Sequence, residues 1–302
     1  MIPAVYAPHS AFVAPARGSS EVSRLVIGIL AVEFLFTVAL GLFGRVLDLL
    51  APDLADNVYY GSTPVGLIIQ LGSFVFFVAS LALVLHWQHR RRLLSALGPA
   101  TRAAENLIQV FAAVGAFYIA LELLPPWWSA ETLAETRSLL AWGFAMPFGL
   151  AAILVQVTTE ELFYRGYVQQ QLAARFDQTW AWLVLPNVLF AAAHWDNGAT
   201  GTDSWQYVIW AFCFGLAASD LTARTGNLGA AIGLHLANNA YAFLIYGEAG
   251  GPDSGLALFL FQPETVTSLT PPEAGPVFTL WLLMDIAIVW LSWLVARIVI
   301  RR

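Results

Sequence analysis

Apolar residues run along this chain in long blocks rather than in the alternating pattern of half-buried strands. Eight blocks approach the ~20 apolar residues that a helix needs to cross a bilayer: 25–43, 65–85, 107–124, 139–164, 180–194, 205–221, 228–246 and 277–300. The fifth is short and holds Pro186, which predicts a kinked or incomplete helix. Gly, Pro, Asn and Asp punctuate the gaps, as at Pro125-Pro126 and Gly226-Asn227. The pattern predicts an all-α fold, a polytopic membrane protein with about eight transmembrane helices in one transmembrane domain over 23–302. Residues 1–22 lack the basic start, apolar stretch and cleavage site of a signal peptide, and read as a disordered cytoplasmic tail. An apolar patch at 256–261, inside the longest loop, reads as a short interfacial helix.

Composition agrees with lipid as the main solvent. Hydrophobic residues fill 59% of the 302 positions and charged residues 11%, against about half and a quarter in soluble domains. The basic residues are all Arg, and no long basic run offers a nucleic-acid surface. Arg90, Arg91 and Arg92 read as a membrane anchor flanked by interfacial His86 and His89. With the N-terminus inside, Arg17, Arg24, Arg90–92, Arg102, Arg175, Arg224, Arg297, Arg301 and Arg302 all fall on that side, and only Arg45 and Arg137 fall outside. Acidic residues such as Asp53, Glu131 and Glu264 collect outside, and Trp127, Trp128 and Trp195 fit an outer aromatic belt. Both termini are therefore expected in the cytoplasm. One cysteine, Cys213, excludes an internal disulfide and a cysteine-built zinc site.

Ionisable groups inside spans cost about 2.5–3.5 kcal/mol each on insertion scales, so they mark function. The richest set lies between residues 158 and 240. Glu161 and Arg165 are four apart and can pair on one helix face, which leaves Glu160, about 100° around, for another neighbour. His235 and Asn239 share a face, as do Phe190 and His194. Glu160 precedes and His194 follows the turn at Asp177 by 17 residues each, so an antiparallel hairpin brings them to similar height. Gln169, Gln170, Gln171 and Arg175 read as the part of that hairpin that projects from the membrane. A carboxylate with two imidazoles can hold and deprotonate water, with Glu160 as general base. The same three residues, Glu160, His194 and His235, could instead hold zinc with one position open, and sequence alone does not separate the two chemistries. Glu33, Glu122, Asp220 and Asp285 carry no motif, and Tyr164 and Asn187 are candidates to line the site.

The run Glu160-Glu161-x-x-x-Arg165, then Phe190-x-x-x-His194, then His235-x-x-x-Asn239, resembles the CPBP family, the CAAX prenyl proteases of Ras-converting-enzyme type and related bacteriocin-processing or immunity proteins. The resemblance covers about residues 140–245. It implies an intramembrane endopeptidase in which Glu160, helped by His194, activates water, His235 and Asn239 stabilise the tetrahedral intermediate, and Glu161 and Arg165 support the geometry. It further implies a peptide or membrane-protein substrate. Arg without Lys suggests a GC-rich genome, hence a bacterial inner-membrane protein. The alternative is a non-catalytic immunity factor or scaffold of the same fold; a proton-coupled transporter is a weaker third reading.

Overall fold

The computed structural model describes residues 3–125, 132–198, 201–262 and 275–301; Trp127, Trp128, Glu131, Glu264 and Arg302 lie outside the described residues. Every apolar block is helical. A short helix α1 (Ala7–Val13) precedes α2 (Val22–Leu50), α3 (Pro52–Tyr60), α4 (Pro64–Gly72) and α5 (Val75–His89). Then come α6 (Ala100–Leu121), α7 (Leu139–Phe163), α8 (Gln170–Arg175), α9 (Thr179–Leu183), α10 (Leu185–Ala192), α11 (Gly201–Thr225), α12 (Gly229–Leu244) and α13 (Leu280–Val299). Such helices satisfy their own backbone groups, which lipid cannot do for them. Their outward faces are apolar and uncovered, as at Phe34, Ile119 and Leu140.

Among the described residues, five helices are long and apolar enough to cross a membrane: Val22–Leu50, Pro64–His89, Ala100–Leu121, Leu139–Arg175 and Leu280–Val299. The expected number was about eight. The difference lies in α9–α10, α11 and α12. The first is broken at Val184, just ahead of Pro186. Of the others, α12 is only 16 residues long and α11 is less apolar than the five; both pack within the bundle, against each other and against α13, and α12 also against α6 and α7. α12 is buried from Gly229 to Ala237. It sits close on α6 because Gly229 and Gly233 have no side chain: a Cβ there would lie 1.9 Å from the Ala103 carbonyl oxygen and 2.6 Å from that of Leu107.

After Phe163 the α7 helix continues as a π-helical turn, Tyr164–Gln169, before α8. Single π turns in α-helices are frequent at functional sites.

Four expectations are corrected. Residues 4–19 are not a disordered tail. They fold as two 3-10 turns around α1, with Phe12, Val13 and Ala16 buried, and Tyr6 donates to Asp220 at 2.7 Å. Gln169, Gln170 and Gln171 do not project into water. All three are buried, and their amides bond to the Ser219 and Phe12 carbonyls and to His89. Arg91 and His89 are buried rather than interfacial: Arg91 donates to Gln170 and Ser95, and His89 joins Ser19 and Tyr167. Finally, 256–261 is no helix. Its Leu260 is buried between half-buried Phe259 and Phe261, a period-two pattern. It forms β3 (Phe259–Phe261), the centre of a small sheet with antiparallel β1 (Leu133–Thr136) and parallel β2 (Tyr246–Glu248), the one β element among the described residues.

Candidate active site

The site grows from the last two turns of α7. Adjacent residues there take opposite surroundings. Glu161 is fully buried and accepts from two neighbours through one oxygen: Arg165 Nη1 and His235 Nδ1 each lie 2.9 Å from its Oε1. Arg165, also fully buried, extends to Asn187 Oδ1 at 3.2 Å and lies over the Phe190 ring at 4.5 Å. Asn187 in turn donates to Ser219 Oγ at 2.9 Å. Gly215 leaves room for this chain, since a Cβ there would lie 2.5 Å from Asn187 Oδ1. The expected Glu161–Arg165 pair is thus present and reaches four helical segments.

Glu160 faces the other way, into a cavity of about 880 Å³ that His194, His235, Asn239 and Tyr164 also line. Its Oε1 accepts from Gln156 Nε2 at 2.6 Å. Gln156 Oε1 accepts from Asn239 Nδ2 at 2.9 Å, so one amide bridges α7 to α12. Glu160 Oε2 is buried without a hydrogen-bond partner and lies 3.6 Å from His235 Nε2.

The imidazole orientations follow from their partners. Glu161 can only accept, so His235 carries its proton on Nδ1 and turns Nε2 toward Glu160. His194 Nδ1 lies 2.7 Å from the Phe190 carbonyl oxygen, which likewise makes Nδ1 the donor and leaves Nε2 as an acceptor. Its ring packs on Phe190 at 4.5 Å, so the i, i+4 spacing of the second motif has a direct use.

The structure therefore brings Glu160, His194, His235 and Asn239 to one cavity, with Glu161 and Arg165 behind them. Tyr164 lines it; Asn187 does not, and instead holds Arg165. Glu33 of α2 also lines the cavity. Gln156 escaped the sequence reading, although it stands four residues before Glu160, the same spacing that flagged Glu161 and Arg165. Glu122 is occupied by the Tyr241 and Tyr246 hydroxyls, and Asp220 by Arg224, Tyr6 and Trp293. Among the described residues, no three His, Cys, Asp or Glu side chains stand close enough to hold a metal ion. The proposed set Glu160, His194 and His235 does not meet zinc geometry as it stands, although its donor atoms are of the right kind.

No curated protein and no solved structure matches the chain. A family model does match, over residues 142–241, from α7 through α12 and across all three motifs. The segment that carries the three motifs is thus a match to the type II CAAX prenyl endopeptidases described as Rce1-like, in the CPBP family of CAAX proteases.

Proposed function

We propose that this integral membrane protein is an intramembrane endopeptidase whose nucleophile is a water activated by Glu160. The observation that carries the reading is Glu160 Oε2: a carboxylate oxygen buried without a partner, 3.6 Å from an imidazole nitrogen, on the wall of a large cavity. Water placed among Glu160 Oε2 and the Nε2 atoms of His194 and His235 can donate one hydrogen to the carboxylate, which takes it as a proton, and the other to His194 Nε2.

The steps balance as follows. Glu160 removes a proton as the water oxygen bonds to the scissile carbonyl carbon. The proton passes from Glu160 to the nearby His235 Nε2, where the imidazolium is stabilised through Nδ1–H by Glu161. His235 Nε2–H and the second N–H of Asn239 then donate to the tetrahedral oxyanion, the kind of stabilisation that is large in a dry site. The proton leaves His235 for the departing nitrogen as the C–N bond breaks, giving a carboxylic acid and an amine. Arg165 holds the Glu161 carboxylate in place, so His235 keeps its orientation. The substrate is a peptide or a membrane protein, and no step passes through a metal.

The test compares membrane peptides from cells with the wild-type chain and with Glu160→Gln or His235→Ala at matched protein levels. Peptides that accumulate uncut in both variants, and are cut by purified wild type, support the reading. Cleavage that survives both changes overturns it, and a wild type that cuts nothing while its deletion has an effect favours the scaffold reading.

A further inference from the structure

Two smaller cavities, each of about 610 Å³, adjoin the site. Asn238 and Trp210 line all three spaces, so the side chambers and the main cavity share walls. Asn238 donates to Asn239 Oδ1 at 3.1 Å, which couples that shared wall to the site.

Asp285 of α13 lines both side chambers. It lies in a spanning helix, where a carboxylate is costly without a partner. It is exposed on the chamber walls and, unlike Glu122 and Asp220, makes no hydrogen bond or ion pair among the described residues. Trp210 and Tyr241 stand on the same chamber walls. A carboxylate beside aromatic faces suits a cation, which gains both Coulomb attraction and contact with the ring quadrupoles. The wider charge pattern agrees: Glu33, Asp196 and Asp253 line the main cavity with Glu160, and no Arg lines any of the three spaces. The groove wall between α6 and α13 is apolar, with Leu121, Met284 and Ile288.

From this we infer that Asp285 forms a subsite for a basic side chain, and that the substrate is an apolar membrane peptide carrying Arg or Lys close to the bond that Glu160 hydrolyses. The inference rests on the endopeptidase reading for the position of the bond, but the subsite itself is a binding claim. A neutral peptide would leave Asp285 uncompensated; an acidic one would meet like charge. Asp285 acts on the affinity for substrate, not on the reacting atoms.

The experiment measures binding separately from cleavage. Purified full-length chain carrying Glu160→Gln, in lipid nanodiscs, is titrated with synthetic peptides of about 20 apolar residues that differ at one position, Arg, norleucine or Glu, scanned along the peptide. At the best position the Arg peptide is expected to bind at least about tenfold more tightly than the norleucine one. Adding Asp285→Asn removes that preference while leaving the norleucine affinity unchanged. Equal affinities, or a preference that survives Asp285→Asn, overturn the subsite whatever the protein cleaves. In the otherwise wild-type chain, Asp285→Asn should raise KM for the Arg peptide and leave kcat in place. If Arg peptides bind through Asp285 but none is cut, the subsite stands and the endopeptidase reading falls.

Discussion

Two polar layers cross the helix that runs from Leu139 to Arg175, and they differ in what surrounds them. The first holds Gln156, Glu160, Glu161 and Arg165, with His235 and Asn239 from α12. The second, one to two turns on, holds Tyr167 and Gln169–Gln171, with His89, Arg91 and the folded segment 4–19. Both are buried, and both read as polar runs in an apolar chain. The first opens on the large cavity with an unpartnered carboxylate oxygen; none of the second layer's residues lines the three cavities described above. Polarity within a span therefore marks two things, a reacting surface or a packing joint, and the cavity is what separates them.

The sharpest way to break this contrast is to change one residue in each surrounding. Glu160→Gln keeps the shape and the bond to Gln156 but removes the base. Cleavage should fall about 10²–10⁴-fold, the usual worth of acid–base catalysis, while the thermal midpoint of the purified protein stays close to wild type. A large loss of stability would mean that Glu160 belongs to the packing of the layer instead.

Arg165→Ala should do the opposite. It strands the Glu161 carboxylate in the interior, a change that costs about 3–5 kcal/mol, and lets His235 drift. Unfolding in detergent should shift strongly and activity should vanish with it. Arg165→Lys should recover only part of the stability, because an ammonium cannot reach Glu161 and Asn187 as the planar guanidinium does. A stable, inactive Arg165→Ala protein would place Arg165 with the reacting groups and blur the division within the first layer.

Most of the helical architecture was legible, because blocks of apolar residues in lipid leave few alternatives to a helix. The candidate site was legible through i, i+4 spacing: Glu161 with Arg165, Phe190 with His194 and His235 with Asn239 all share faces in the structure. What could not be read was the environment of each polar residue. Gln169–Gln171 carry the same sequence signal as a solvated turn, and their partners, Phe12, His89, Arg91, Ser95 and Ser219, all lie far away in sequence. The strand at 259–261 depends on β1, more than a hundred residues earlier, and α11 and α12 stand apart from the five long apolar helices because burial by protein and burial by lipid leave the same apolar pattern in the sequence.

A smaller effect tests the second layer. Gln170 joins Arg91, the Phe12 carbonyl and the Ser95 carbonyl. Gln170→Leu leaves these polar groups without it and should cost about 1–3 kcal/mol. Cleavage per folded molecule should not change. A drop in kcat at full folding would show that the second layer transmits to the first.

The mildest test is pH. His9, beneath the Trp182 ring at 4.5 Å, is buried, and burial lowers its pKa from 6.5 to about 4. Its Nε2 also faces the Gln169 amide at 3.4 Å, where a neutral imidazole can accept but an imidazolium cannot. Because the folded value lies below the unfolded one, the unfolded state binds the proton first. The contribution is complete above pH 6.5 and is lost as pH falls toward 4, at about 1.4 kcal/mol for each unit in that window. His9→Gln, which stays neutral, should flatten the pH dependence of the thermal midpoint over this range. Protease protection of residues 4–19 should fall with pH in the wild type and hold in the variant. If both proteins lose protection in parallel, His9 is not what holds the segment against α9, and the hold rests on Tyr6, Phe12 and Gln170 alone.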